Sequence, residues 1–166
     1  EYENNVNNNF YTNYIAKWCI EYALEQLNVI QSDYPSNYAT IIEKLNTSDE
    51  ELNAMKAVAS GMYFPYSEEY GVYLQQDGFL DKELEPVNSL SNAQRPINQF
   101  WSWDRILRSV YIKQADVLQG FYFFEDHFSN EELAKHFDFY EPFTVHESSL
   151  SPCVHSIQAA KLNRMD

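Results

Sequence analysis

Cysteine, glycine, proline and positive charge are all scarce in this chain of 166 residues. The two cysteines, Cys19 and Cys153, are too few for a disulfide scaffold, so we expect a cytoplasmic protein in which both pack as small apolar residues. Acidic residues outnumber basic ones 25 to 11, and the net charge of −14 disfavours nucleic acid and anionic membranes as partners. The sequence shows no apolar run of about eighteen residues and no signal-peptide pattern, so we expect no membrane association.

Aromatic residues, in contrast, are abundant, with thirteen Tyr, eleven Phe and three Trp. Apolar side chains recur at helical spacing through most of the chain, and capping motifs begin several of these segments. The pattern predicts an all-α fold of about seven helices in one domain. The first two predicted helices cover about residues 11–31 and 36–45, the second of them capped by Ser36, and a third follows Thr47 and Ser48. The later ones cover about residues 103–112 and 115–128, the stretch from Ser129 to before Pro142, and about residues 150–162.

Residues 61–90 differ from the rest because short aromatic stretches alternate there with glycine and proline. We predict short strands or extended loop at 62–65 and 71–74, and a turn at 75–78. Irregular stretches of this length in a helical domain are usually functional or face a partner.

Residues 1–13 combine asparagine at positions 4, 5, 7, 8, 9 and 13 with Tyr2, Val6, Phe10 and Tyr11. So many asparagines disfavour regular structure, and composition alone suggests a disordered tail. The interleaved apolar residues instead favour a site lining. The pattern Glu-Tyr-x-x-Asn-Val-x-Asn-Asn-x-Tyr-Thr-Asn resembles the motif around the catalytic acid of the glycoside hydrolase family 65 phosphorylases.

This resemblance covers residues 1–166 and implies the C-terminal part of an (α/α)6 catalytic barrel, with a short irregular or β excursion near 61–90. It implies that Glu1 is the general acid of an inverting phosphorolysis in which phosphate attacks an α-glucosyl disaccharide. The chain is most similar to members that act on maltose, giving β-D-glucose 1-phosphate and glucose. Kojibiose, nigerose and trehalose are the alternative substrates.

Two further segments are similar to binding motifs of the same family. Lys113 and Gln114 look like its glucosyl-binding pair, although an arbitrary Lys-Gln pair is usually a surface feature. Ser148 and Ser149, just before the last predicted helix, look like its phosphate loop. An ordinary helix N-cap is the alternative, but hydroxyls and amides at a helix N-terminus also suit an anion. His146 and Glu147, directly before these serines, have no assigned role.

Two other groups of residues carry side chains of the kind that form sites. Residues 100–104, Phe-Trp-Ser-Trp-Asp, offer rings for a sugar platform, although core packing is the more common role of such rings. Cys153 and His155 are two positions apart on a predicted helix and face different directions, so we predict no metal pair there.

The resemblance implies no metal or organic cofactor, with inorganic phosphate as co-substrate, and a homodimer of the intact protein. Two other classes stay open. An inverting hydrolase could use Glu147 as its base, and the 166-residue piece alone could be an inert helical module. A terminal ammonium on Glu1 would lower the pKa of its carboxyl, which is the wrong direction for a general acid.

Overall fold

The computed structural model describes Tyr2 and residues 5–164, and these are predominantly helical. No helix among them is both long enough and apolar enough to cross a membrane. The helices are α1 (Phe10–Asp33), α2 (Pro35–Leu45), α3 (Asp49–Ser60), α4 (Ile97–Phe100), α5 (Trp103–Arg108), α6 (Asp116–Phe123), α7 (Asn130–Tyr140) and α8 (Leu150–Lys161).

Residues 12–63 form one compact unit, built from most of α1 with α2 and α3. The predicted Ser36 cap is wrong, because α2 already begins at Pro35, whose fixed φ suits a first helical position. The Ser48 cap of α3 is confirmed, and its hydroxyl accepts the amide of Glu51 at 3.2 Å. Thr47 lies outside that helix.

The described residues before and after this stretch form a second unit. Its irregular part contains a hairpin whose strands, β1 (Tyr66–Ser67) and β2 (Val72–Tyr73), have two residues each. The strands pair antiparallel, with Tyr66 opposite Tyr73. β2 lies inside the predicted stretch 71–74, which is confirmed, whereas residues 62–65 form no strand and β1 begins only after Pro65. Three short 3-10 turns follow, at Phe79–Asp81, Val87–Ser89 and Asn92–Gln94.

The predicted helix over 103–112 is wrong in its second half. α5 ends at Arg108, and the chain then runs extended, forming bridges from Ser109 to Glu83 and from Ile112 to Thr144. Residues 110–112 are all buried. A short run of buried apolar residues fits a helix and an extended segment equally well, so the sequence could not distinguish them.

α6 and α7 enclose an aromatic core. The rings of Phe121 and Phe128 stack at 3.9 Å, and His136 lies 4.3 Å from Phe121. Phe10 is fully buried beside Gly120, where a Cβ would come within 3.0 Å of the Phe10 ring. α6 ends at Phe123, earlier than predicted, and the 3-10 turn Glu125–His127 follows it.

α8 closes the second unit and follows the prediction, with Pro152 in its first turn. It buries Val154, His155 and Gln158. The expectation that Cys19 and Cys153 are packed inside is wrong, since both are free and exposed. The helical composition agrees with part of an (α/α)6 barrel, and closure of that barrel stays a prediction.

Candidate functional site

The asparagine-rich opening is packed against the protein at the positions that the structure describes. Tyr2 is 2% exposed and Phe10 is fully buried. The side-chain amide of Asn9 donates to the carbonyl of Gln75 and to Asp116, both at 3.2 Å. The described part of this segment is therefore anchored on the protein and is not a free tail. The predicted acid, Glu1, lies outside the described residues.

Tyr2 connects this opening to the loop that contains the predicted phosphate ligands, residues 144–149. Its hydroxyl donates to Oε2 of Glu147 at 3.0 Å. The same oxygen accepts the amide of Ile97 at 2.9 Å, and Arg95 Nε lies 3.4 Å from Oε1. Arg95 also donates to the carbonyl of Val145. Only 8% of the Glu147 side chain is exposed, and these donors replace the water that a buried carboxylate loses.

The extended stretch after α5 places Lys113 beside the same loop. The amide of Ile112 donates to Phe143, and the amide of Val145 donates back to Ile112, each at 2.9 Å. Lys113 follows directly and is half-buried, with Nζ 5.7 Å from the centre of the Tyr2 ring. Gln114, also half-buried, is the next residue. The structure thus brings Lys113 and Tyr2 together near residues 144–149.

Ser148 and Ser149 lie at the N-terminal end of α8. The Ser148 hydroxyl accepts the amide of Leu150 at 3.3 Å. Ser149 occupies the N-cap position, but its side chain makes no capping hydrogen bond to α8. An N-cap serine normally uses its hydroxyl in that way. The Ser149 side chain therefore does not cap α8, whereas the Ser148 hydroxyl contacts the first amide of that helix.

The aromatic segment 100–104 divides between packing and exposure. Trp101 is half-buried, with the guanidinium of Arg105 3.5 Å from its ring centre. Trp103 is 61% exposed and lies 6.4 Å from the Tyr2 ring in an edge-to-face arrangement. Core packing thus holds for Trp101 only.

Sequence reasoning missed a group made of Glu141, His146 and His155. His146 Nε2 lies 3.3 Å from Glu141 Oε1, and His155 Nδ1 contacts Oε2 of the same carboxylate. The hydrogen bond from His146 has the largest effect and that from His155 the next largest, and together they lower the pKa of the Glu141 carboxyl to about 2. One ligand atom from each of the three side chains lies within 4.8 Å of the others, so the group could hold a metal ion. Spacings of five and nine residues match no metal motif, and only the fold brings these side chains together.

The comparisons with known proteins agree with the resemblance noted in the sequence. Residues 1–166 match the glycosyl hydrolase family 65 central catalytic domain over their whole length. The chain belongs to this family of carbohydrate-active enzymes.

Several relatives are similar over nearly the whole chain. A maltose phosphorylase of Bacillus subtilis is 52% identical over 98% of the chain, an α,α-trehalose phosphorylase of Thermoanaerobacter brockii is 41% identical over 100%, and a kojibiose phosphorylase of Halothermothrix orenii is 38% identical over 100%. A solved structure described as a kojibiose phosphorylase from human microbiome superimposes with a TM-score of 0.84 at 37% identity, over 97% of the chain and 22% of that protein. The chain spans 20% to 21% of the length of the three curated relatives.

Proposed function

We propose that the protein carrying this chain is an inverting disaccharide phosphorylase that acts on an α-glucosyl disaccharide, with maltose as the first candidate. Maltose is favoured because the maltose phosphorylase reported above shares 52% identity, against 41% and 38% for the trehalose and kojibiose enzymes. The observation that carries the proposal is the meeting of Tyr2 and Lys113 at residues 144–149, directly before the N-terminus of α8.

In the proposed reaction, Glu1 protonates the oxygen of the leaving sugar while the glycosidic bond breaks. A phosphate oxygen attacks the anomeric carbon from the opposite face, which inverts its configuration. Lys113 and Gln114 bind hydroxyls of the glucosyl unit. Ser148 and Ser149, with the N-terminus of α8, hold phosphate. Phosphate is already an anionic nucleophile, so no base and no cofactor takes part.

Glu147 is the residue on which a hydrolase of this family would depend, because water needs a base. Its carboxylate accepts from Tyr2 and Ile97 and pairs with Arg95. Oxygens committed to these donors are suited to anchoring the loop. The proposal therefore predicts glucose 1-phosphate together with glucose when the full-length protein is given maltose and phosphate. Glucose as the sole product would establish the hydrolase instead.

The role of Glu1 is tested with Glu1→Gln in the full-length protein. We expect loss of most phosphorolysis of the natural disaccharide, because the leaving sugar then departs without a proton. Turnover of α-glucosyl fluoride should survive, since fluoride leaves without protonation. Glu131→Gln, on the exposed face of α7, is the matched control. Activity of Glu1→Gln on the disaccharide within a few-fold of the unchanged protein would show that Glu1 is not the acid.

The phosphate site is tested with Ser148→Ala and Ser149→Ala. Loss of one hydrogen bond to a charged ligand should raise the KM for phosphate about 10- to 100-fold. Ser156→Ala, an exposed serine of α8, should leave it unchanged. An unchanged KM for phosphate in both loop variants would contradict the assignment.

A further inference from the structure

Glu141 joins two parts of the protein that border the proposed phosphate site. It begins the 3-10 turn Glu141–Phe143 that follows α7. One oxygen of its carboxylate contacts His146, in the 144–149 loop, at 3.3 Å, and the other contacts His155, in α8. A single side chain therefore links the loop to the helix whose N-terminus follows it.

These contacts have the form of hydrogen bonds. An ionised carboxylate has only acceptors, so the ring nitrogens that face it, His146 Nε2 and His155 Nδ1, carry the protons. The His155 side chain is only 5% exposed, whereas that of Glu141 is 42% exposed, so burial shields the histidine end of this contact from water and not the carboxylate. The imidazole of His146 lies nearly perpendicular to that of His155, with 4.8 Å between the ring centres. Both rings are thus held in one orientation.

His146 has a backbone conformation that needs such support. Its φ is +53°, in the left-handed region that residues with a Cβ rarely occupy. Residues in this region persist where their surroundings hold them. The contact with Glu141 holds the side chain of His146, while Arg95 and Tyr2 hold the neighbouring Glu147. His146 and Glu147, the two residues before Ser148, are therefore each held by a different set of partners.

We propose that Glu141, through His146 and His155, positions the 144–149 loop so that Ser148 and Ser149 meet phosphate. This rests on the proposed function, in which those serines hold the phosphate co-substrate. Glu141, His146 and His155 are positioning residues, since none of them needs to touch phosphate. Releasing the loop should weaken phosphate binding while leaving the glucosyl contacts of Lys113 and Gln114 in place.

The first experiment compares Glu141→Ala with Glu131→Ala in the full-length protein, both of which remove a carboxylate near α7. For Glu141→Ala we expect the KM for phosphate to rise about tenfold or more, with kcat at saturating phosphate and the KM for disaccharide within about threefold. Glu131→Ala should leave all three unchanged. Glu141→Gln, which keeps one acceptor oxygen for one histidine, should give an intermediate KM for phosphate.

The second measurement separates positioning from general stability. Phosphate should raise the thermal midpoint of the unchanged protein, and this rise should be largely lost in Glu141→Ala. His146→Ala should raise the KM for phosphate as well, and combining it with Glu141→Ala should add little, because both changes remove one connection. A loss of thermal stability with unchanged phosphate kinetics would overturn the proposal.

Three further outcomes distinguish an error in the role of Glu141, an error in the phosphate site and a metal ion bound by the three side chains. If Ser148→Ala raises the KM for phosphate and Glu141→Ala leaves it within about twofold, this inference is wrong and the proposed function stands. If neither change affects it, the phosphate site itself is wrong. If dialysis against a chelator weakens phosphate binding, a metal ion joins the three side chains in place of hydrogen bonds, and the inference is overturned.

Discussion

Buried polar side chains determine the local geometry of this protein, and His136 is an example in the core of the second unit. Its Nε2 accepts the amide of Tyr73 at 2.8 Å, and its Nδ1 donates to the carbonyl of Glu132 at 2.7 Å. The contact at Nε2 requires the neutral ring, because a protonated imidazole has no acceptor nitrogen. Burial lowers the pKa of His136 to about 4, because it penalises the charged form.

At the residue scale we predict that the stability of the protein falls on acidification through His136. Between pH 6.5 and about 4 the unfolded chain binds a proton at this position and the folded chain does not, so stability is complete above pH 6.5 and declines below it. The loss should reach about 3 kcal/mol at most. Urea unfolding at pH 7 and pH 4.5 measures it.

His136→Gln should flatten this pH dependence, because glutamine does not titrate. His127→Gln, at an exposed position, should keep the slope of the unchanged protein. Equal slopes for both variants would mean that other groups cause the acid sensitivity.

At the scale of elements, a side-chain cap marks the start of some helices of the second unit and not of others. At α7, Ser129 accepts the amide of Glu132 at 3.2 Å, and the carboxylate of Glu132 accepts the amide of Ser129 at 2.8 Å. The backbone contact with Ser129 is the main reason that the pKa of Glu132 is lowered. At α8, in contrast, the serine at the N-cap makes no such bond. Ser129 therefore accounts for the start of α7, whereas the start of α8 does not depend on its N-cap side chain.

We predict that Ser129→Ala destabilises α7 by about 1 kcal/mol, the usual cost of losing a side-chain N-cap. Ser36→Ala should change stability by a few tenths of a kcal/mol at most, because Ser36 does not cap α2. Hydrogen exchange of the peptides that cover α7 and α2 in the full-length protein measures both changes. Equal effects of the two substitutions would show that the Ser129 contact contributes nothing beyond an ordinary surface serine.

At the scale of the whole molecule, the chain is a fifth of the length of its curated relatives. Large side chains such as Trp18, Tyr34, Phe100 and Trp103 are exposed on it. Exposed aromatic residues in this number favour further contacts with protein or ligand.

We therefore predict that the isolated 166-residue chain does not turn over maltose in the presence of phosphate, whereas the full-length protein does. Efficient phosphorolysis requires the sugar to be enclosed and oriented, and the relatives devote several hundred further residues to one protein. Release of glucose 1-phosphate, followed over time with equal molar amounts of both proteins, decides the question. Turnover by the isolated chain would contradict this prediction.

Local signals account for what could be predicted from the sequence. The boundaries of α7 and α8 follow from Ser129 with Glu132 and from the position of Pro152, and all of these act within a few residues. The likeness of residues 1–13 and 144–152 to known motifs identified the family. The extended course of residues 109–112 could not be predicted, because it depends on pairing with Glu83 and Thr144, distant in sequence.

The sequence by itself thus determined the helical class, the capped starts of α3 and α7 and the family, since periodicity, capping and motifs are properties of neighbouring residues. Only the tertiary structure decided that Tyr2, Arg95 and Ile97 all hold Glu147, and that Glu141 joins His146 to His155. The contacts of Glu147 join residues 50 to 145 positions apart. Hydrogen bonds of this kind exist only after the chain has folded, so no local pattern encodes them.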